Sequence, residues 1–304
     1  KNPIQVMENI DRVTEHIRAK KPGQTALHFH HTIDRKIYFQ DTDGFWRLFN
    51  YIPSDSCVDM DLDAIHNAGE AFGEFQMQLS DFDPAQLYET ILNFHNTPWR
   101  YEKLEADVRA DLLGRAAEAR EELEYLRSIR DKACVLTDFY RQGKLPLRVT
   151  HNDTKINNVL FDQETKRALV VIDLDTVMPG VVGHDFGDAI RSAANFVEED
   201  CPQPEKAGVD LEVFEAFADG FLKNTAAALT KTEIDTLAQS CLALTAELSV
   251  RFLDDYIQGD PYFKINYPKH NLVRSRCQMA LAKDMERKMD TMDAIVRQCA
   301  ARYL

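Results

Sequence analysis

Strand-like and helix-like segments are segregated along this chain, and that order limits its fold more than any other feature. A first helix is predicted over residues 5–19, and three strand-like runs follow at 26–31, 36–40 and 44–52. From residue 57 onward the apolar residues recur mainly at helical spacing. A doubly wound parallel sheet requires strands and helices that alternate. The sequence therefore predicts an α+β protein.

The segment PSDS at 53–56 is typical of a hinge. Residues 1–56 are accordingly interpreted as the remainder of a small, β-rich N-lobe with its hinge, and residues 57–304 as a large helical C-lobe. The amphipathic stretch 102–142 is too long for one ordinary globular helix. We expect it to break near Gly114.

Composition excludes several classes of function. The net charge is −14 at pH 7, which argues against nucleic acid as the main partner. The six cysteines form no CxxC pair and have no zinc-like spacing, as is typical of reduced thiols in a cytoplasmic protein. No apolar run is long enough to span a membrane, and no signal peptide is present. The sequence does not indicate an oligomeric state.

The helical pattern of the C-lobe is interrupted at 147–176 by a short hairpin with many polar residues. VLFD and ALVVI, joined by the turn QETKR, predict two antiparallel strands. If Asp162 lies opposite Leu169, then Asn158 lies across from Asp173 at the open end of the hairpin. The stretch THNDTKINN before the first strand places Asp153 on the adjoining loop.

These residue types suit phosphoryl transfer. Magnesium prefers oxygen ligands, commonly one or two carboxylates completed by phosphate oxygens, so Asn158 and Asp173 form a plausible half-site. Asp153 could accept the proton of an attacking hydroxyl. The pattern H-x-D-x-x-x-x-N before a strand-end Asp is how kinase catalytic loops are built. The structural alternative is that His151 and Asp153 only cap a turn.

The segment HDFGD at 184–188 contains DFG, the letters of the metal-binding motif of protein kinases. Asp185 lies much farther from Asp153 along the chain than Asp173 does, and the hairpin register favours Asp173. We therefore assign the metal to Asp173 and predict that Asp185 holds the backbone of the catalytic loop. Asp188 and Arg191 are expected to pair on a helix or to line the substrate pocket.

The block RVTHNDTKINNVLFD…VVIDLDTVMPGVVGHDFGDAIR resembles the aminoglycoside phosphotransferase and choline kinase superfamily, whose fold is bilobal and protein-kinase-like. Together with ELSVRFLDDYIQGDPYF (247–263) and YPKHNLVRSR (267–276), it is similar to the N-acetylhexosamine kinases of that superfamily. The likeness covers essentially the whole chain. It implies ATP and Mg²⁺ as cofactors and transfer of the γ-phosphate to the anomeric hydroxyl of GlcNAc or GalNAc.

The resemblance also implies roles for individual residues. Asp153 matches the catalytic base, and Asn158 and Asp173 match the magnesium ligands. WRLFNYI at 46–52 matches the adenine-side hinge between the lobes. The residues implied in binding sugar are Asp153, Asp173, Asp175, Thr176, Arg251 and Tyr262, and those implied in binding nucleotide are Phe49, Asn50 and Tyr51.

Three candidate site residues, Lys155, Arg251 and Tyr262, also have simpler explanations. Lys155 could neutralise the transferring phosphoryl group or could be a solvated loop lysine. Arg251 could line the site or could pair with Glu247, four residues earlier on the same helix. Tyr262 could be a packing aromatic or could cover a sugar face while its hydroxyl forms a hydrogen bond.

One departure from the family pattern concerns the start of the chain. The glycine-rich loop that the family places over the phosphates does not precede Lys1, and no G-x-x-x-x-G-K-[ST] loop replaces it. We expect upstream residues to exist, because a shortened small sheet would leave an open strand edge. Alternatives are a kinase of aminoglycosides, choline or homoserine, and a catalytically silent nucleotide- or sugar-binding module.

Overall fold

The described residues of the N-terminal lobe form one helix and four short strands. The computed structural model describes residues 2–20, 25–54 and 61–304. Helix α1 (Pro3–Lys20) confirms the predicted first helix and turns its apolar face, with Ile10 and Val13, into the core. The strands are β1 (Phe29–His30), β2 (Phe39–Gln40), β3 (Phe45–Trp46) and β4 (Leu48–Phe49).

The strands of this lobe are shorter than the sequence predicts. They form two antiparallel pairs, β1 with β4 and β2 with β3. The turn DTDG joins β2 to β3 as expected, and the Asp41 side chain accepts a hydrogen bond from the Gly44 amide. The run predicted at 44–52 divides at Arg47, whose guanidinium lies 2.6 Å from the Asp175 carboxylate of the other lobe.

The predicted hinge and lobe boundary lie partly outside the described residues, which leave out 55–60 and therefore Cys57. The next described element is α2 (Leu62–Gln78). It begins at Asp61, whose side chain accepts a hydrogen bond from the Ala64 amide and caps the helix.

The C-lobe is mainly helical, as predicted. The expected break near Gly114 is confirmed, because α3 ends at Ala110 and Gly114 adopts a left-handed φ of 67°. The helices after α2 are α3 (Thr97–Ala110), α4 (Arg120–Ser128), α5 (Arg130–Ala133), α6 (Val135–Arg141), α7 (Val182–Ala193), α8 (Leu211–Thr225), α9 (Lys231–Gln258) and α10 (His270–Ala301).

Close helix packing fixes α7, which supports the site described below. Helices α2 and α8 approach so closely that a Cβ at Gly220 would lie 2.1 Å from the His66 carbonyl oxygen. Phe186 on α7 packs edge-on against Phe217 and Phe221 of α8. Helix α7 is therefore held in the core of the lobe.

Four short strands form the polar insertion: β5 (Arg148–Thr150), β6 (Val159–Phe161), β7 (Ala168–Val171) and β8 (Met178–Gly180). β6 and β7 form the predicted antiparallel hairpin. The pairing of β5 with β8 was not predicted. Gly180 permits this pairing, because a Cβ there would lie 2.2 Å from Thr150 Oγ1.

The predicted hairpin register is wrong by one residue. The Ile172 amide donates to the Asn158 carbonyl at 2.8 Å, so Asn158 lies opposite Ile172 and not opposite Asp173. The turn is shorter than predicted, because the Asp162 amide donates to the Arg167 carbonyl at 2.8 Å and Asp162 therefore lies opposite Arg167 and not Leu169. One extra residue of β7, at an irregularity between Leu160 and Phe161, reduces this two-residue error to one residue at Asn158.

Two findings bear on the expectations from composition. No helix in the described ranges is long and apolar enough to cross a membrane. Five thiols in those ranges are free cysteines, in accordance with the absence of a disulfide pattern in the sequence: Cys134, Cys201, Cys241, Cys277 and Cys299.

Candidate active site

The loop between β5 and β6 is held by a buried carboxylate from α7. Asp185 Oδ2 accepts a hydrogen bond from the His151 amide at 2.9 Å, and Oδ1 accepts one from the Asn152 amide at 2.8 Å. Gln76 on α2 donates to the same carboxylate at 2.6 Å. Burial raises the pKa of Asp185, and these donors oppose the rise. The prediction that Asp185 holds the loop backbone is confirmed.

One helical turn later, Asp188 fixes the next part of the loop. It accepts from the Thr154 amide at 3.0 Å and from Arg191 Nε at 2.9 Å. Arg191 also contacts Glu199 at 2.8 Å. Burial acts to raise the pKa of Asp188, but the Arg191 charge outweighs it and the pKa is lowered. The predicted pair of Asp188 and Arg191 is therefore formed.

His151 has a structural role in the loop. It is fully buried between the edges of Phe72 and Phe75. Its Nδ1 accepts from the Asp153 amide at 3.2 Å, so Nε2 is the nitrogen that donates to the Ile172 carbonyl at 2.8 Å. The imidazole thereby ties the backbone of Asp153 to the end of β7.

Two residues in left-handed conformation shape the loop ends. Asn152 has φ of 63° and Asp173 has φ of 59°, a region that residues other than glycine rarely adopt. The side-chain amide of Asn152 donates through Nδ2 to the Thr176 carbonyl at 2.9 Å. The Thr176 hydroxyl in turn donates to the His151 carbonyl at 2.7 Å. Thr176, predicted to bind sugar, thus also braces the catalytic loop.

Asp153 presents its side chain at the centre of this framework. Its carboxylate lies 3.3 Å from Lys155 Nζ, and both side chains are partly exposed. Its carbonyl oxygen accepts a hydrogen bond from Asn158 Nδ2 at 2.8 Å. The backbone of Asp153 is therefore fixed from both sides while its carboxylate remains accessible.

The oxygen atoms near Asp153 fit a hard cation that also binds phosphate. Because Asn158 Nδ2 donates to Asp153, the Asn158 Oδ1 atom is the amide oxygen left for a ligand. The left-handed turn at Asp173 follows β7 directly, where Ile172 faces Asn158. Residues 2–20, 25–54 and 61–304 contain no cluster of three or more His, Cys, Asp or Glu that could hold a metal alone. A cation here would need ligand oxygens as well, as Mg²⁺ commonly does.

A cleft of about 370 Å³ opens beside Asp153, and we call it the Asp153 cleft. Its volume is within the range of small-molecule sites. Five of the predicted site residues line it: Asp153, Lys155, Thr176, Arg251 and Tyr262. The opposite wall comes from the segment before α3, from α9 and from the chain leading into α10, and includes Phe94, His95, Glu247, Phe252, Phe263, Lys264 and Arg274.

Arg251 lies in this wall between aromatic rings. Its guanidinium carbon is 5.0 Å from the ring centroid of Phe94 and 5.6 Å from that of Phe263. The hydrogen bonds of Glu247, the alternative partner, go to His95 at 2.8 Å and Thr97 at 2.6 Å. Arg251 is therefore a cleft residue, as the resemblance implies.

Glu247 and His95 of this wall form a buried group with His184. Burial acts to raise the pKa of Glu247, but His95 outweighs it and lowers the pKa to about 2. Burial, with the charge of His95, lowers the pKa of His184 to about 3. The two imidazole rings lie 4.5 Å apart. The carboxylate therefore stays ionised, and His184 stays neutral, at neutral pH.

Tyr262 stands at the rim of the cleft. Its side chain is 68% exposed, and its ring contacts Phe263 edge-on at 4.8 Å. Its amide donates to Asp255 at 2.8 Å, which fixes the loop that carries it. An exposed tyrosine on an anchored loop can cover one face of a small ligand.

The other predicted site residues do not line the Asp153 cleft. Asp175 contacts Arg47, as described above. Asn50 uses its amide within the small lobe, where it accepts from the His28 amide at 2.7 Å and donates to the Ala26 carbonyl at 3.2 Å. Phe49 and Tyr51 are exposed on either side of it. Their contact with nucleotide remains a prediction.

Sequence reasoning missed most of the wall opposite Asp153. Phe94 and His95 precede α3, and Lys264 and Arg274 lie at the approach to α10 and on it. These segments are far apart in sequence and meet only through packing against α9. Arg274 is in the quoted block YPKHNLVRSR, but its pattern alone indicates an ordinary helix.

Comparison with known proteins agrees with this geometry. The model of the phosphotransferase enzyme family matches residues 4–221, which include the N-terminal lobe, the loop that carries Asp153, and the C-lobe as far as α8. The match spans more than half of the chain.

Solved structures share the fold at low sequence identity. An aminoglycoside phosphotransferase from Alicyclobacillus acidocaldarius has 13% identity and a TM-score of 0.62 over 98% of this chain and 84% of its own. A microcompartment-associated aminopropanol kinase has 16% identity and a TM-score of 0.62, over 96% and 84%. An amicoumacin kinase in complex with AMP-PNP and Ca²⁺ has 12% identity and a TM-score of 0.56, over 91% and 76%. With the family match, these likenesses show that the chain belongs to the phosphotransferase enzyme family and has its bilobal kinase-like fold.

Proposed function

We propose that this protein is an ATP-dependent small-molecule kinase that phosphorylates the anomeric hydroxyl of an N-acetylhexosamine. The observation that carries the proposal is the position of Asp153. Its carboxylate lines a cleft of small-molecule size, and the loop behind it is fixed by two buried carboxylates. The amide of Asn158 is tied to the same residue.

Asp153 would orient the acceptor hydroxyl and take its proton as the new O–P bond forms. The bond between the γ-phosphorus and the bridging oxygen breaks, and ADP leaves with that electron pair. Such a reaction depends mainly on positioning and on charge stabilisation. The hydrogen bonds that hold the Asp153 backbone supply the positioning.

Asn158 and Asp173 would hold Mg²⁺, which supplies charge neutralisation on the phosphates when it is bound. Lys155 adds a positive charge within 3.3 Å of Asp153 and faces the same cleft. In this role Lys155 stabilises the negative charge that spreads over the transferred group. Phe49, Asn50 and Tyr51 would contact the adenine side of ATP.

The chemistry of the Asp153 cleft favours a sugar over a polycationic antibiotic. Tyr262 and Phe263 offer aromatic faces, and Arg251 offers several N–H donors. An aminoglycoside carries several ammonium groups, which the guanidiniums of Arg251 and Arg274 would repel. Thr176 and Asp175 lie next to the loop, where hydroxyls can be hydrogen-bonded. The choice of the anomeric hydroxyl of GlcNAc or GalNAc rests on the sequence resemblance.

The first test is ADP release from Mg-ATP with GlcNAc, GalNAc, glucose, galactose, kanamycin, choline and homoserine. We expect release with the N-acetylhexosamines and a loss of at least 100-fold in kcat for Asp153→Asn, with the KM for ATP little changed. Asp162→Asn is the matched control, because Asp162 caps the hairpin turn and asparagine suits that position too.

Each other result has a defined meaning. Release with only a different acceptor would overturn the sugar and keep the kinase. Full activity of the Asp153→Asn variant would remove the assigned role of Asp153. Binding of ATP and sugar without any ADP release would favour the silent binding module.

A further inference from the structure

Positive charge without a partner collects in one wall of the Asp153 cleft. Arg251, Lys264 and Arg274 all line it. Within the part of the chain that the structure describes, none of the three lies at ion-pair distance from an Asp or Glu side chain. The carboxylates that line the same cleft have other partners: Asp153 lies near Lys155, Asp188 and Glu199 contact Arg191, and Glu247 binds His95 and Thr97.

Several other partly buried cations of this protein do have carboxylate partners. Arg191 contacts both Asp188 and Glu199. The remaining examples are Arg115 with Asp260, Arg148 with Glu233 and Lys103 with Asp254. A charge removed from water is costly unless it is paired, so a ligand would explain why the partly buried Arg251 and Arg274 have no carboxylate partner, and Lys264 adds an exposed charge to the same wall.

Neutral contacts hold Arg274 in place. Arg274 Nη1 donates to the Lys264 carbonyl and to Asn271 Oδ1, both at 3.1 Å. Its guanidinium carbon lies 5.4 Å from the Phe252 ring centroid, and its Nε is buried without a hydrogen-bond partner. Arg274 is thus oriented by the protein but is not neutralised by it.

The positive charge of Arg251 changes the pKa of the neighbouring Arg100. Burial lowers the pKa of Arg100, and the positive charge of Arg251 lowers it further, whereas the Glu247 carboxylate acts to raise it. Arg100 donates to the Phe94 carbonyl at 3.2 Å, directly behind the ring on which Arg251 lies. The repulsion between these guanidiniums persists in the folded protein, and an anion in the cleft would relieve it.

We propose that this wall recognises a carboxylate carried by the acceptor, so that the preferred substrate is an acidic N-acetylhexosamine. This inference rests on the proposed function and specifies its substrate class. Guanidinium groups bind carboxylates through paired, charge-assisted hydrogen bonds. A neutral hydroxyl would satisfy the donors of Arg251 and Arg274 but would leave their charge uncompensated.

The experiment compares GlcNAc with two acidic relatives, N-acetylglucosaminuronic acid and N-acetylmuramic acid, which carry the carboxylate at different places on the ring. We expect at least one acid to have a kcat/KM about tenfold above that of GlcNAc, since one charge-assisted hydrogen bond is worth roughly that factor. Arg274→Gln should abolish this preference, because it should lower kcat/KM for the acid about tenfold more than kcat/KM for GlcNAc.

Arg297→Gln is the matched control, because Arg297 is an exposed arginine on the same helix and lies outside the cleft. Thermal unfolding of each variant shows whether it is folded. Equal rates for acidic and neutral sugars, or an equal loss for both in Arg274→Gln, would overturn the inference.

Failure of the proposed function gives a different result. If no sugar is phosphorylated, calorimetric titration of the same acids into the wild type and the Arg274→Gln variant still tests the wall. Binding of an acid that depends on Arg274 would support the inference without the kinase activity. Binding that does not depend on Arg274, or no binding, would overturn it.

Discussion

The two sides of the Asp153 cleft are built on different principles. On the loop side, backbone amides of residues 151–154 donate to the carboxylates of Asp185 and Asp188 on α7, and Gln76 donates to the Asp185 carboxylate as well. On the wall side, cations lie on aromatic rings, and Arg274 Nε has no hydrogen-bond partner.

This difference separates two tasks. The loop side holds Asp153 in one geometry before any ligand arrives, which limits the reorganisation required for phosphoryl transfer. The wall side retains unused donors and charge that only a ligand can satisfy, and such groups discriminate between substrates. Substitutions on the loop side should therefore change kcat and stability together, whereas substitutions in the wall should change KM alone.

The largest effect is expected for Asp185→Ala. The change leaves the amides of His151 and Asn152, and the Gln76 side chain, without their buried acceptor. Each such loss costs about 1–3 kcal/mol. We expect the free energy of unfolding to fall by about 3 kcal/mol or more and kcat to fall at least 100-fold, measured by denaturant unfolding and ADP release.

Asp185→Asn serves as the control for shape, because it keeps one acceptor oxygen for the loop. It should recover part of the stability and part of the rate. An Asp185→Ala protein with wild-type kcat would show that the loop does not need α7, and the comparison between the two sides would fail.

A smaller and selective effect is expected for Arg251→Lys on the wall. Lysine keeps the charge but loses the planar group that lies between Phe94 and Phe263. We expect the KM for the acceptor to rise about tenfold, with kcat, the KM for ATP and the thermal midpoint nearly unchanged. A fall in kcat or in stability of the kind expected for Asp185→Ala would place Arg251 on the loop side instead.

The sequence predicted the fold well because local patterns determine helices and short polar motifs determine loops. The helix α1, the break at Gly114 and the hairpin all follow from spacing and turn residues. The structural role of Asp185 was also predicted, because the metal was assigned to Asp173 and Asp185 was therefore expected to hold the loop backbone.

What the sequence could not predict depends on tertiary contacts. The hairpin register was missed because neither the short turn, which closes between Asp162 and Arg167, nor the irregularity at Leu160 follows a residue signal. The division of the third strand at Arg47 requires knowing that Asp175 is near. The cationic wall joins Arg251 to Lys264 and Arg274 across a loop and two helices, and no periodicity in the sequence relates them.

Thr176→Val tests a residue at the border of the two sides, with a moderate effect. Its hydroxyl donates to the His151 carbonyl, although the resemblance implies contact with the sugar. If bracing the loop is its main role, kcat should fall several-fold and the free energy of unfolding by about 1 kcal/mol, with little change in KM. Thr176→Ser should restore both. A rise in the acceptor KM at constant kcat would assign Thr176 to sugar binding alone.

The smallest effect on stability at neutral pH is expected for the buried group of Glu247, His95 and His184. This effect grows as the pH falls. The pKa of His184 falls from 6.5 to about 3 on folding, so the unfolded chain binds its proton first. Stability is unaffected above pH 6.5 and is lost at about 1.4 kcal/mol per unit as the pH falls toward 3. The pKa of Glu247 falls from 4.5 to about 2, so its contribution is present above pH 4.5 and is lost below.

We therefore expect His184→Phe to flatten the dependence of unfolding free energy on pH between 6 and 4.5, where Glu247 does not yet contribute. Phenylalanine keeps a ring beside His95, whose centroid lies 4.5 Å from that of His184, but cannot bind a proton. His16→Phe is the control, because His16 is a partly exposed residue paired with Asp81. An unchanged slope in His184→Phe would mean that His184 is protonated in the folded protein.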